Sequence, residues 1–221
     1  GFTTTGVSII ADPASLSHGQ LIWRSLMQWI GGLGIILFTL AVIPMLNSSG
    51  GVHLYNSEVT GITHDKLTPR ISSTAKMLWG IYFILTIVLT LLLWIGPMDL
   101  FESICHALST VSTGGFSTQA DSIGAWNSTY ITVVITIFMF VGGINFILMI
   151  KALSGSLKTV TNNEVFRVYC KVIAVTSVIF AILIALNTSS IPAGHIIVNA
   201  LFQVVSTITS TGYSVSDYTL W

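Results

Sequence analysis

Long apolar stretches without a charged residue dominate the hydrophobic pattern of this chain. Four of them lack Asp, Glu, Lys and Arg altogether: 25–52, 77–98, 122–150 and 172–216. About 20 apolar residues cross a bilayer as a helix, so these stretches have room for four crossings. The last stretch is too long for one span and too short for two spans with ordinary loops, which predicts a re-entrant segment within it.

Composition indicates a membrane protein. Of the 221 residues, 52% are hydrophobic and 7% are charged, against about 25% charged residues in soluble domains. This balance excludes an ordinary soluble domain and predicts an all-α integral membrane protein. We expect it to cross the cell inner membrane or plasma membrane several times.

Basic residues predict the orientation of the chain. All of them except Arg24 fall into two groups beside hydrophobic ends, and the positive-inside rule places both groups in the cytoplasm. The groups are Lys66, Arg70 and Lys76, then Lys151, Lys158, Arg167 and Lys171. The segment between them must cross the membrane an even number of times. Because it holds three apolar blocks, 81–95, 104–111 and 131–150, the short middle block must dip into the membrane and return.

Ser/Thr runs that end in glycine occur three times, within 2–7, 109–116 and 207–213. Stacked backbone carbonyls can replace the water shell of a cation, and glycine permits the backbone angles that such stacking needs. Small hydroxyl side chains add oxygen atoms without blocking the hole. One such run is more often a simple turn. Three in comparable contexts predict a cation filter.

Acidic residues flank these segments on the predicted outer side. Asp99 with Glu102 predicts a capping box that opens a short helix running toward the second filter segment. The acidic side chains either raise the cation concentration at a pore mouth or act as solvated loop charges and caps, and the sequence leaves both roles open. They are Asp12, Asp99, Glu102, Asp121 and Asp217.

The pattern is that of repeated units, each with an outer helix, a re-entrant pore helix, a filter loop and an inner helix. The predicted divisions are 1–46 (filter and inner helix of unit 1), 47–72 (cytoplasmic loop), 73–153 (complete unit 2), 154–164 (cytoplasmic loop) and 165–221 (outer helix, pore helix and filter of unit 3). The predicted helices are 21–46 in unit 1, 73–96, 100–111 and 128–153 in unit 2, and 165–187 and 192–207 in unit 3.

Several longer stretches carry a resemblance to a known family. They are WRS at 23–25, QWIGGLGII at 28–36, PRI at 69–71, HALST at 106–110 with GGFST at 114–118, and FQVVS at 202–206. This set resembles the Trk/Ktr/HKT superfamily of potassium transporters and is most similar to its bacterial TrkH branch. The resemblance implies four nonidentical units around one pseudo-fourfold pore, so that this chain, with filters one to three, would be a fragment.

The resemblance also implies the site residues, because in that family each unit contributes carbonyls just before a filter glycine. Serine at the first filter glycine accompanies sodium preference in the plant branch, whereas this chain has Gly6, which implies potassium as the substrate. No bound cofactor is expected. The implied potassium-binding residues are Thr4, Thr5, Gly6, Thr113, Gly114, Gly115, Ser210, Thr211 and Gly212.

The implied function is potassium transport through a carbonyl-lined filter, as the translocating subunit of an uptake system. The alternative is a proton- or sodium-coupled cation symporter, which usually places ionisable residues near the midplane of its spans. A homodimer and a cytoplasmic nucleotide-binding regulatory subunit of the TrkA type are implied by the resemblance. The basic loops are predicted on the cytoplasmic side, where such a partner would bind. Anionic membrane lipid would explain their charges equally well. No nucleic-acid partner is expected.

No catalytic or nucleotide-binding constellation stands out. Ser109 and Ser112 lack a nearby base in sequence, and the histidines lack ligand spacing, so we predict that the chain is not an enzyme. The glycine cluster 31–34 has no preceding strand and lies in a charge-free stretch. We interpret it, like the pair Gly142 and Gly143, as a site of close helix packing or of a bend in the inner helix.

Overall fold

The computed structural model of the chain describes residues 1–8, 10, 12–34, 71–153, 155–187 and 193–216, and within them all regular secondary structure is helical. The all-α class is therefore confirmed. Short 3-10 helices cover Pro13–Ser15 and Ser122–Trp126. The α-helices, numbered in chain order, are α1 His18–Trp29, α2 Ile71–Ile95, α3 Leu100–Val111, α4 Thr129–Gly142, α5 Phe146–Leu153, α6 Leu157–Thr161, α7 Glu164–Asn187 and α8 Ala193–Ile208.

Helix α1 is the start of the inner helix predicted for the first unit. It opens with a capping box in which the backbone N–H of Ser17 donates to the side chain of Gln20 at 3.1 Å. After Trp29 the helix widens into the π-helix Ile30–Gly34, because glycine tolerates irregular winding. The rest of this predicted helix, 35–46, and nearly all of the predicted loop 47–72 lie outside the described residues.

The second unit follows the predicted order, with one correction. Helices α2 and α3 match the outer helix and the pore helix expected over 73–96 and 100–111. The inner helix predicted over 128–153 is divided at the glycine pair where close packing or a bend is expected. Helix α4 ends at Gly142 and α5 begins at Phe146. Two consecutive glycines favour such a break, since each lowers helix stability by about 1 kcal/mol relative to alanine.

The connection before the third predicted unit is partly helical. Segment 154–164 was expected to be a loop, but it contains the short helix α6. The turn between α6 and α7 is held by Arg167, which donates to the carbonyl of Thr161 and to Oδ1 of Asn162, each at 2.8 Å. Helices α7 and α8 match the expected outer and pore helices.

The short helices α3 and α8 lie at the centre of the described structure. Helix α3 packs against α1, α2 and α4, and α8 packs against α7 and α4. One continuous core of buried side chains runs from α2 through α4 to α8, and Leu89, Ile135 and Phe202 within it are fully buried. The chain segments that follow α3 and α8 are thereby held in the interior.

Two helices are long and apolar enough to cross a membrane. These spans are Met77–Ile95, with 19 residues, and Glu164–Leu186, with 23 residues, and they expose large apolar side chains such as Ile84 and Leu186. Helices α3 and α8 are also apolar but have only 12 and 16 residues. They are shorter than a bilayer span, as expected of helices that enter a membrane and return.

Candidate cation filter

A capping box fixes the start of the second pore helix, as the sequence predicts. Oδ1 of Asp99 accepts from the backbone N–H of Glu102 at 2.6 Å, and Oε2 of Glu102 accepts from the backbone N–H of Asp99 at 3.4 Å. These contacts satisfy N–H groups that the first helical turn leaves without partners. Helix α3 then runs to Val111, directly before the second Ser/Thr–Gly segment.

The same unusual backbone conformation recurs in all three Ser/Thr–Gly segments. In each, the glycine and the residue two positions before it have positive φ. The angles are 49° and 76° for Thr4 and Gly6, 51° and 79° for Thr113 and Gly115, and 57° and 81° for Ser210 and Gly212. A residue other than glycine is costly in this region, by roughly 1–3 kcal/mol, and such strain concentrates at functional sites. The three segments are therefore one structural motif that occurs three times.

The three segments meet at one place. A Cβ atom built on Gly6 would lie 2.8 Å from the carbonyl oxygen of Gly114 and 3.0 Å from that of Thr211. A Cβ on Gly115 would overlap the same Thr211 oxygen. Two backbone carbonyls from different parts of the chain thus come close to the glycines of neighbouring segments. The structure brings Gly6, Gly114, Gly115 and Thr211 together, as a filter requires.

Paired hydroxyl groups stiffen the first and third segments in the same way. The side chains of Thr3 and Thr5 are joined by a hydrogen bond of 2.7 Å, and those of Thr209 and Thr211 by one of 2.8 Å. Both pairs occupy the positions three and one before the glycine. The second segment has Ser112 and Gly114 at these positions, so it lacks the pair.

A buried serine six positions before the glycine anchors the second and third loops to their pore helices. Oγ of Ser206 donates to the carbonyl of Tyr213 at 2.8 Å, and Oγ of Ser109 accepts from the backbone N–H of Phe116 at 2.7 Å. Both serines are fully buried. In addition, the hydroxyl of Tyr213 donates to the carbonyl of Phe116 at 3.2 Å, which ties the two loops to each other.

Gln28 is a site residue to which sequence reasoning assigned no role. Its side chain is fully buried, and its Nε2 donates to the carbonyl of Gly114 at 2.7 Å. That carbonyl, predicted to face potassium, therefore already accepts one hydrogen bond and keeps its second lone pair. A lone amide in a charge-free apolar stretch is the signal that could have found Gln28, because polar groups in membrane spans are costly unless they are bonded.

Charged side chains lie beside the loops on the predicted outer side. The guanidinium of Arg24 stands 4.4 Å from the centre of the Phe116 ring and donates to Oγ of Ser8 at 3.0 Å. The carboxylate of Glu102 accepts from Gln119 at 3.0 Å and from the indole N–H of Trp126 at 3.3 Å. Glu102 thus has a capping and bracing role, while Asp217 lies outside the described residues.

Glycine pairs in the inner helices lie against the bases of the filter loops. A Cβ on Gly32 would approach Tyr82 and Ser112 within 3.1 Å, and a Cβ on Gly143 would approach Tyr169 and Thr209 within 3.3 Å. Ser112 and Thr209 are both three positions before a filter glycine. The predicted close helix packing is confirmed at both sites, and the regular α-helix ends beside each pair.

Two tyrosines on neighbouring helices donate hydrogen bonds to backbone carbonyls just before these glycine pairs. The hydroxyl of Tyr82 on α2 donates to the carbonyl of Trp29 at 3.0 Å, and that of Tyr169 on α7 donates to the carbonyl of Phe140 at 3.1 Å. Each acceptor lies two residues before the first glycine of its pair. Helix α2 is therefore attached to α1, and α7 to α4, by the same kind of contact.

The architecture defines the class to which this protein belongs. It is an all-helical membrane protein in which short buried helices end in strained glycine loops that converge. In the described residues, no group of three or more His, Cys, Asp or Glu side chains could hold a metal ion. The converging oxygens are those of backbone carbonyls and neutral hydroxyls.

Comparison with known proteins gives the family. The family model of TrkH, a cation transport protein, matches residues 1–221. The Trk system potassium uptake protein TrkH of Escherichia coli (strain K12) is 39% identical over 223 residues, which cover 100% of this chain and 46% of that relative. TrkG of the same strain, also a Trk system potassium uptake protein, is 36% identical over 234 residues, with coverage of 100% and 46%.

A solved structure agrees with the sequence comparison. The crystal structure of the potassium transporter TrkH from Vibrio parahaemolyticus has a TM-score of 0.82 and 31% identity, and the match covers 100% of this chain and 44% of that chain. The chain belongs to the TrkH family of cation transport proteins. It is a multi-pass membrane protein, its family is not an enzyme class, and it spans about half the length of the relatives that it matches.

Proposed function

We propose that this chain contributes three of the filter segments of a potassium-translocating subunit. The proposed ligands are backbone carbonyls of the two residues before each glycine, in the segments Thr4–Thr5–Gly6, Thr113–Gly114–Gly115 and Ser210–Thr211–Gly212. The observation that carries the proposal is the convergence of these segments in one repeated, strained conformation. Similarity to proteins named for potassium uptake supports potassium as the cation.

The chemistry of the loops suits a weakly bound cation in transit. Carbonyl dipoles can replace water around the ion without placing a fixed charge in its path, so the ion enters and leaves quickly. Pore helices α3 and α8 both end at a loop, and the negative ends of their dipoles favour a cation there. The hydroxyl pairs and buried serines hold the carbonyls in place before the ion arrives.

Potassium uptake by transport-deficient cells tests the proposal. The complete gene that encodes this chain is expressed in potassium-starved cells, with sodium as a competitor and with any regulatory partner supplied. We expect rescue by the parent and loss of uptake or of selectivity in Gly115→Ala, because the new methyl group overlaps the Thr211 carbonyl. Uptake is also measured after proton and sodium gradients are collapsed, which separates conduction from coupled symport.

Gly155→Ala is the matched control for this substitution. Gly155 also has positive φ, 82°, but among the described residues no heavy atom outside its chain neighbours lies within 4 Å of its Cβ position. It therefore carries the same backbone strain away from the filter, and we expect normal uptake. Absence of rescue by a well-expressed parent, or equal effects of the two substitutions, would contradict a carbonyl filter at this place.

We also propose that the predicted cytoplasmic face receives a regulatory subunit, within a homodimeric assembly. The names of the relatives, which refer to a Trk system, support a multi-component complex. The described basic residues of this face include the exposed Lys158 and Arg167, near the ends of α6 and α7. Co-purification of the complete protein with its candidate partner, with and without Lys158→Glu, tests this proposal.

A further inference from the structure

The side chain of Gln28 joins the inner helix of the first unit to the filter loop of the second. Its Nε2 donates to the carbonyl of Gly114 at 2.7 Å. Its Oε1 accepts from Oγ of Ser109 at 2.6 Å and from the backbone N–H of Phe116 at 3.2 Å. Three of the four hydrogen bonds available to an amide are therefore made, and all of them go to one loop and its pore helix.

The amide of Gln28 also fills the space beside Gly114 in which the other two segments have a threonine side chain. A Cβ on Gly114 would overlap Cδ of Gln28 and lie 2.5 Å from its Oε1. The first and third segments have threonine at this position, Thr5 and Thr211, whose hydroxyls bond within their own loops. The second segment has glycine because the side chain of another unit fills the volume.

The hydroxyl of Ser112 makes different contacts from those of its counterparts in the first and third segments. It stands three positions before the filter glycine, like Thr3 and Thr209, but its hydroxyl donates to the carbonyls of Leu108 and Ser109 at 2.9 and 3.0 Å. It has no hydroxyl at position 114 to bond. The second loop thus lacks the internal brace of its counterparts, and Gln28 supplies the contacts that hold it.

We propose that Gln28 is a positioning residue that sets the ion selectivity of the second filter segment. The proposal rests on the proposed potassium function. Gln28 replaces the threonine brace with an amide from the neighbouring unit, which fixes the Gly114 carbonyl and the start of the loop after Gly115. Without Gln28, the Gly114 carbonyl loses its side-chain partner and, among the described contacts, the N–H of Phe116 keeps only Ser109. The loop can then relax around the smaller sodium ion.

The test is a double substitution that restores the arrangement of the other two segments. Potassium uptake and the potassium-to-sodium ratio are measured with the complete gene for the parent, Gln28→Ala, Gly114→Thr and the combination of both. We expect Gln28→Ala to lower the ratio about tenfold, a typical effect of losing buried hydrogen bonds. We expect Gly114→Thr alone to abolish uptake because it collides with Gln28.

The combined variant should recover much of the ratio that Gln28→Ala loses. Threonine at position 114 then has room, and its hydroxyl can bond to Ser112 as the pairs in the first and third segments do. The φ of Gly114 is not in the positive range, so a threonine is not strained by the backbone. A combined variant no better than either single variant would overturn the proposal.

Gln28→Met keeps the test valid if removal of the side chain prevents folding. Methionine fills a similar volume but makes none of the three hydrogen bonds, so the ratio should fall while the amount of folded protein in the membrane stays normal. An unchanged ratio in Gln28→Met would overturn the proposal. Gln20→Ala is the matched control, because Gln20 is exposed on the same helix and bonds only to Ser17 among the described contacts.

The outcomes separate this inference from the proposed function. A parent that takes up no potassium contradicts the function itself. A selective parent with an equally selective Gln28→Met contradicts the role of Gln28 alone. A second readout, the stabilisation of the purified complete protein against heat by potassium relative to sodium, should weaken in Gln28→Met and stay unchanged in Gln20→Ala.

Discussion

Two of the filter glycines, Gly115 and Gly6, differ in what surrounds them, although their φ angles are nearly equal. A Cβ on Gly115 overlaps a carbonyl oxygen, whereas a Cβ on Gly6 comes within 2.8 Å of one. The strain of positive φ is common to both, about 1–2 kcal/mol for alanine. Their difference is therefore steric.

We predict a graded loss of potassium uptake for alanine at these positions. Gly115→Ala should be more damaging than Gly6→Ala, because its methyl group overlaps a carbonyl oxygen that must be displaced further. Initial uptake rates at equal membrane expression give the ranking. If Gly6→Ala proved the more damaging, the described packing of the segments would not govern the effect.

Ser206 offers a test of how firmly a filter loop is anchored. Ser206→Ala leaves the buried carbonyl of Tyr213 without its hydroxyl donor, which should lower the free energy of unfolding by about 1–3 kcal/mol. Thermal unfolding of the purified complete protein measures this loss. Thr207→Ala is the control, because within the part of the chain that the structure describes the exposed Thr207 hydroxyl bonds only to the carbonyl of Gln203 in its own helix. An equal effect of both would refute a special role for Ser206.

The local sequence pattern was enough to predict the three filter loops. The hydrogen bonds from distant residues that hold these loops were not predictable. Thr113, Gly115 and Gly212 belong to short Ser/Thr–Gly runs whose backbone demands are visible in neighbouring residues. The contacts of Gln28 join residues 81 to 88 positions apart. Periodicity and spacing carry no information about pairs so distant in sequence.

At the scale of helices, the lengths of the apolar stretches predicted the positions of the helices well. They predicted poorly where a helix is interrupted. Helices α2, α3, α7 and α8 match the expected spans closely because each is a block of apolar residues with turn residues at both ends. At Gly142 and Gly143 the sequence indicates close packing or a bend but not a full break between α4 and α5, since apolar residues continue on both sides of the pair. Helix α6 was missed because one short polar turn has no distinct pattern.

The two tyrosine contacts predict a measurable effect on helix attachment. Tyr82→Phe and Tyr169→Phe each remove the hydroxyl that bonds a carbonyl beside an irregular helix turn. We expect a loss of about 0.5–1.5 kcal/mol for each, larger for Tyr82, which is buried, than for the half-buried Tyr169. The free energy of unfolding in detergent measures both.

Tyr130→Phe provides the comparison for these two variants. Its hydroxyl also joins two helices, donating to the carbonyl of Leu92 at 2.9 Å, but the side chain is 42% exposed. A hydrogen bond at an exposed site exchanges readily with other donors, so its loss should cost less. A cost at Tyr130 equal to that at Tyr82 would show that the irregular turns do not depend on their tyrosines.

At the scale of the whole molecule, the predicted orientation can be tested by cysteine labelling. Cys105 and Cys170 are replaced by serine first, and then Ala125→Cys or Ser156→Cys is introduced at an exposed position. A membrane-impermeant maleimide should label position 125 in intact cells and position 156 only after the membrane is opened. The reverse result would invert the positive-inside assignment.

Because the Gln28 side chain fills the space beside Gly114, the second filter loop cannot be replaced by the first or the third. A loop transplanted from the first or third unit into the second would carry a threonine into a volume already taken by a neighbour. The two positions are 86 residues apart, and each limits which substitutions the other can accept. A larger residue at position 114 is tolerated only when the side chain at position 28 is smaller. The three loops share one backbone conformation, yet this mutual dependence prevents their sequences from being exchanged.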